Sequence, residues 1–336
     1  MKVSKILVNA IYISSIPLLV AMFVSFPLGG YTFFSANLPT TLPTKPLPTS
    51  LPFFFFGQLF YVPLPFKVSL GEAFLAFWVL YLALFSISLL GPKKNLIQAM
   101  KSLKEEGPSA IYSNTALLLS VVFPILVLGL TTMEDILNRI GLPVGQLPEV
   151  DPRENFFLLS YSPLIEEFGF RISLIGLAAG IIGWRLIGGG KGFIKGVWHP
   201  AEVIKVKNMS QKVNAYMLPI ILSSMLFGLA HIFYSTEWGP GKAVSAGFAG
   251  FVIGIVYVTN GLPAAILMHW AFNYFSASYY YFDKIRGLPP LNENPSSNIF
   301  SYSQAYVDII VFISAISSLI SLLAADKLKK VSTQHL

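Results

Sequence analysis

Two adjacent carboxylates, Glu166 and Glu167, lie inside an apolar stretch, FFLLSYSPLIEEFGFRISLIGLAAGIIGWRLIG over residues 156–188, with Arg171 close behind. A charge held at the centre of a bilayer costs about 3 kcal/mol or more, so such residues face a protein interior or a wet cavity and mark function. Glu167 and Arg171 are four apart, share a helical face and can pair, while Glu166 lies about 100° round and is free to point elsewhere. A carboxylate withdrawn from water holds a proton more avidly, which suits a general base near neutral pH. The competing reading is a structural ion cluster that ties helices together. Two later apolar stretches carry His231 and His269, and Asn273 follows His269 by four, as two donors converging on one oxygen need. Taken singly, His231 reads as an interhelical hydrogen-bonding residue and Asn273 as helix–helix glue. Acids and imidazoles together in apolar segments point to acid–base chemistry.

The elements that must carry these residues are membrane helices. Of 336 residues, 54% are hydrophobic and 12% charged, with a mean hydropathy of +0.66. Soluble domains carry roughly 25% charged residues. Apolar runs recur along the whole length, at about 5–27, 72–91, 110–131, 156–187, 214–235, 243–260, 262–282 and 305–325. The expected fold is therefore an all-α, polytopic transmembrane helical bundle of about eight spans, with the site inside it. Three regions are expected: residues 1–155 with three spans and a Pro-rich extramembrane loop, 156–282 carrying the chemistry, and 283–336 with the last span and tail. The prolines of NLPTTLPTKPLPTSLPFFFFGQLFYVPLP forbid helix until about Ser69, and its aromatics suit the membrane interface. Asn260-Gly261-Leu262-Pro263 reads as a tight turn between antiparallel helices.

Cysteine is absent, which excludes disulfides, thiolate metal sites and a cysteine nucleophile. The net charge of +7 reflects topology rather than nucleic-acid binding. With the N-terminus inside, fifteen of the 23 Lys and Arg fall on inner segments and seven on outer ones, Arg171 being intramembrane. That bias predicts a multi-pass cell-membrane protein with both termini cytoplasmic. The basic segment GGGKGFIKGVWHPAEVIKVKNMSQK reads as an inner loop that sets topology; contact with anionic lipid is its lesser role. His199, in that loop, and His335, in the tail, carry no signal of function.

Depth supports convergence. At 1.5 Å per residue, Glu166 lies ~15 Å, His231 ~6 Å, Asn273 ~14 Å and His269 ~20 Å from the same predicted face. Gly228, Ala230, Gly247, Ala249, Gly250 and Gly254 would let helices approach closely around them. EEFGFR, SSMLFGLAH and LPAAILMHWAFN then resemble the three signatures Glu-Glu-x-x-x-Arg, Phe-x-x-x-His and His-x-x-x-Asn of the CPBP family. These are the CAAX protease and bacteriocin-processing membrane enzymes, which include the type II CAAX prenyl proteases. The ordered set covers roughly residues 156–282. Ile172, where many relatives carry Gly after the Arg, is the one departure and touches helix packing rather than chemistry.

The resemblance implies an intramembrane endopeptidase, a glutamate protease. Glu166 and His231 would polarise a water, His269 and Asn273 would stabilise the oxyanion, and Glu167 with Arg171 would orient them. It implies a peptide or protein substrate, lipidated or unmodified, alongside membrane lipid, and no cofactor. Zinc held by the Glu and two His is the alternative, although the spacing is not HExxH. Ser162 and Ser224 lie near the motifs without an assigned base, so a serine mechanism is disfavoured. Two rival classes remain: a non-catalytic peptide-binding or immunity protein of the same fold, and a proton-coupled transporter. The second would predict inverted repeats, which the sequence does not display.

Overall fold

The computed structural model describes residues 2–35, 42–65, 67–146, 151–204, 208–235, 237–289 and 299–333. Lys205, Lys207 and His335 lie outside them. In chain order the helices are α1 (Lys2–Phe34), α2 (Leu70–Leu90), α3 (Leu96–Glu106), α4 (Thr115–Arg139), α5 (Pro152–Glu166), α6 (Leu177–Gly183), α7 (Gly189–Trp198), α8 (Met209–Ala215), α9 (Met217–Phe233), α10 (Pro240–Asn260), α11 (Leu262–Trp270), α12 (Ser276–Ile285) and α13 (Ser303–Thr333). Two strands, β1 (Ser50–Phe55) and β2 (Gln58–Pro63), precede α2. The architecture is an all-α membrane bundle. Among the described residues, six helical stretches are long and apolar enough to cross a membrane, and α9, with 17 residues, is apolar but shorter. Outward faces carry Ile13, Leu90, Leu218 and Phe233, as lipid contact demands.

The chain divides into two compact units. The first comprises residues 1–38, 78–129 and 274–336. There α1 packs on α12 and α13, held by polar side chains that reach the partner helix's backbone. Tyr279 donates to Ala21 O (2.7 Å), Trp78 Nε1 to Phe26 O (2.9 Å) and Ser314 to Ser14 O (3.1 Å). Such bonds serve as glue where lipid removes any hydrophobic drive between helices.

The second unit, residues 39–77 and 130–273, holds every motif residue. Its α9 and α10 pack in close contact, and glycines set the distance. A Cβ on Gly228 would strike the Ala243 carbonyl, and one on Gly250 would press on Phe227. The segment expected as a basic inner loop is instead largely helical. Gly188 and Gly189, both at positive φ (100° and 57°), turn the chain back so that α7 lies on α6. Gly183 meets the Gly192 carbonyl and Gly196 that of Ala179, so these glycines are packing surfaces. His199 Nε2 lies 2.9 Å from Thr259 O, and Tyr216 donates to Pro200 O (3.0 Å), tying this turn to its neighbours.

The Pro-rich loop contains an antiparallel hairpin that the sequence reading did not anticipate. Its two-residue turn places Phe56 (φ 50°) and Gly57 (φ 74°) in the left-handed region, the geometry that matches strand twist. Phenylalanine at the first of those positions hides the usual Asn-Gly signal.

Candidate active site

Pro163 offers no N–H to the carbonyl of Leu159, and α5 ends three residues later at Glu166. From Glu167 to Gly176 the helix widens to π form, and the Leu177 N–H donates to Ile172 O, five residues back. Such insertions recur at functional sites. Another π turn, Ala271–Phe275, follows α11 and includes Asn273. Neither was expected, because an i, i+4 pattern does not distinguish a π turn from plain helix.

At the first junction two consecutive carboxylates reach one imidazole. His269 Nδ1 lies 2.8 Å from Glu167 Oε1, and its Nε2 lies 3.5 Å from Glu166 Oε2. Glu167 is fully buried, and its other oxygen stands 3.2 Å from Arg171 Nε, also fully buried. That contact is close enough for an ion pair but not aligned as a hydrogen bond, and Arg171 Nη1 has no hydrogen-bond partner either. The guanidinium donates a long bond to Gly250 O (3.4 Å) and lies 4.4 Å from the centre of the Phe227 ring. A buried pair so incompletely satisfied adds little net stability. Its effect is to fix Glu167, and through Glu167 the ring of His269.

Phe227, apolar and outside the expected site list, is the hub of the packing. Its ring meets His231 edge-on at 4.9 Å and His269 at 5.7 Å, with Phe170 at 5.2 Å on a third side. The Phe227 carbonyl accepts from His231 Nδ1 at 2.9 Å. A carbonyl only accepts, so Nδ1 carries the proton and Nε2 retains its lone pair.

Asn273 donates through Nδ2 to Ser162 Oγ at 2.7 Å. Helical serines nearby bond back to their own helix, as Ser160 does to Phe156 O and Ser224 to Ile221 O. Ser162 instead accepts from another helix, one turn before Glu166. Its proximity to the motif was visible in the sequence; its partner was not.

Glu166, His231, His269, Asn273 and Ser162 line one cavity of about 430 Å³. Glu167 and Arg171 stand behind that wall. The cavity also borders Asn155 at the start of α5 and Trp238 between α9 and α10, placing it towards that end of the unit. The expected polar set is thus gathered, with one difference of detail: the imidazole touching Glu166 is His269, while His231 bonds within its own helix.

The hairpin closes one side. Tyr161 donates to Pro52 O (2.7 Å), Gly57 N–H to Gly169 O (3.3 Å) and Phe56 N–H to Ser173 Oγ (3.2 Å). Phe54 lines the cavity and packs on Phe170 at 5.2 Å. Gly169 must be glycine, since a Cβ there would collide with Phe54.

Among the described residues, no three His, Asp or Glu side chains converge as metal ligands. The Nδ1 of His269 is engaged by Glu167, and that of His231 by a carbonyl. In both rings Nδ1 is the nitrogen held by a protein acceptor, which leaves Nε2 as the nitrogen available to the cavity.

Residues 155–275 match the family described as Type II CAAX prenyl endopeptidase Rce1-like. The Rce1-like segment contains all six motif residues and the two π turns that carry Glu167, Arg171 and Asn273, while the hairpin falls outside it. No curated protein and no solved structure matches the chain. With its long apolar helices and its Rce1-like segment, the chain is a multi-pass membrane protein.

Proposed function

We propose that this protein is an intramembrane peptidase in which Glu166 activates a water for attack on a peptide carbonyl. One observation carries the reading: Glu166 and His269 are 3.5 Å apart on the wall of a cavity that His231 and Asn273 also line. Water entering that cavity would donate to the Glu166 carboxylate and to the Nε2 lone pair of His231. Glu166 takes the proton as the oxygen attacks. The nearby Nε2 of His269 can share it, giving a cation beside the oxyanion, with Nδ1 still held by Glu167. The second N–H of Asn273 Nδ2 is the neutral donor to the oxyanion. Collapse returns the proton to the departing amine.

The substrate in this reading is a peptide carrying a prenylated cysteine near its C-terminus, the class that the family's description names. In this reading the water is activated by Glu166 and His231 without a metal. Cleavage that persists in EDTA supports this, and loss restored by Zn²⁺ refutes it. By the Lys and Arg bias both termini lie in the cytoplasm, and the cavity faces the opposite side, where residues 237–242 fall. Reporter fusions after Val213 and Leu288 test the orientation. The reading as a whole is tested with Glu166→Gln in purified protein. Loss of cleavage with an unchanged unfolding profile supports it; wild-type protein that binds peptides yet cleaves none overturns it in favour of a binding protein.

A further inference from the structure

One charged side chain on the cavity wall has no place in the chemistry above. Lys242 lies in the first turn of α10, and its side chain is only 22% exposed. Its ammonium sits 4.4 Å from the centre of the Trp238 ring. The nearest carboxylate is Glu134, at 3.9 Å, too far for a hydrogen bond. The cavity wall carries two further carboxylates: Glu237, which is exposed, and Glu166, which is near enough to attract the ammonium electrostatically but makes no ion-pair contact with it. Among the described residues lining the cavity, Lys242 is the only lysine or arginine.

An ammonium carries three donors, and holding it half-buried without a hydrogen-bonded acceptor is costly unless something else supplies one. The aromatic face of Trp238 offsets part of that cost without consuming a donor, and it holds the long, flexible stem in place. The small residues around it, Gly239 and Gly241, press against the carbonyls of Pro143 and Leu142, so the turn that presents Lys242 is braced by backbone. The result is a positioned cation, one turn into a helix, facing the space in which a peptide would lie.

Resting on the peptidase reading, we propose that Lys242 is a carboxylate subsite that selects peptides bearing a negative charge on the side of the scissile bond facing α10. Carboxylates are the anions that an unmodified peptide offers, and a charge-assisted bond to a desolvated ammonium is among the stronger polar contacts available. The carboxylate is either the free C-terminus or an acidic side chain. Lys242 touches substrate here without taking part in bond breaking, so it governs binding and selection, not turnover.

The test uses the full-length protein in detergent carrying Glu166→Gln, so that binding is read without hydrolysis. The probes are three fluorescent farnesylated peptides: one ending Cys-Val-Leu-Ser as the free acid, the same peptide as its C-terminal amide, and an amidated version ending in Asp. Fluorescence anisotropy gives each Kd. The free acid is expected to bind at least about tenfold tighter than the amide. Adding Lys242→Gln should reduce that preference to within about twofold, and Lys242→Arg should keep most of it. Recovery of tight binding by the Asp peptide assigns the subsite to any nearby carboxylate; no recovery assigns it to the C-terminus. Equal binding of acid and amide, or a preference unchanged by Lys242→Gln, overturns the proposal. Because the readout is binding, absence of cleavage by the wild type would sink the peptidase reading while leaving the Lys242 result to stand or fall alone.

Discussion

The Nδ1 of His269 stands 2.8 Å from Oε1 of Glu167, with both side chains withdrawn from solvent. An acceptor there dictates which ring nitrogen bears the proton, and so what the other nitrogen offers the cavity. Replacing Glu167 by Gln keeps the shape but removes the fixed acceptor. The expected loss in kcat is about 10- to 100-fold, the usual effect of losing a partner that orients a functional histidine. KM for a prenylated peptide should stay within about twofold, because Glu167 does not line the cavity. A rise in KM alone would place Glu167 in substrate binding instead.

The sequence made the polar set legible because each motif lies within one helix, where spacing of four gives a common face. Glu167 and Arg171 pair as that spacing requires, and the small residues expected to bring helices together do so between α9 and α10. Partners between helices were not legible. That His269, not His231, meets Glu166 is set by how α5, α9 and α11 pack, and packing between helices leaves no mark in a pattern of residue types. The hairpin was missed because its turn uses Phe56 in a conformation that glycine or asparagine normally signals. The fold-back of α7 was obscured by reading lysines as loop, when Gly183, Gly192 and Gly196 mark a packed surface.

Arg171 is buried and ion-paired, so truncating it leaves a carboxylate without its counter-charge. Arg171→Met should destabilise the protein by about 3–5 kcal/mol. The double change Glu167→Gln with Arg171→Met should cost less than the sum of the two single changes, because it removes both charges. Chemical unfolding in detergent, followed by tryptophan fluorescence, checks both statements. Strict additivity would show that the pair is not coupled.

Ser162 and Asn273 share one hydrogen bond across two helices. Ser162→Ala should free the Asn273 amide and lower kcat, and Asn273→Ala should lower it further. The double variant should resemble Asn273→Ala alone. A cycle on kcat/KM is expected to give a coupling of about 0.5–3 kcal/mol. Labelling of Ser162 by a fluorophosphonate would instead identify a serine nucleophile and contradict this account.

Gly169 sits against Phe54 of the hairpin, with no room for a side chain. Gly169→Val should push the strands away from the π turn and cost about 1–3 kcal/mol by overpacking. Hydrogen exchange at residues 50–63 should rise well above that of the wild type, while α1 and α13 remain protected. Unchanged exchange in the hairpin would show that Gly169 does not hold it.

The most direct measurement follows the oxygen of the attacking water. Wild-type protein in EDTA, incubated with a prenylated peptide in heavy-oxygen water, should release a product whose new carboxylate carries one heavy oxygen by mass spectrometry. Glu166→Gln should reduce that release by at least about 100-fold, the least expected for removing a general base. Undiminished cleavage by Glu166→Gln would contradict the assignment of Glu166 as the base.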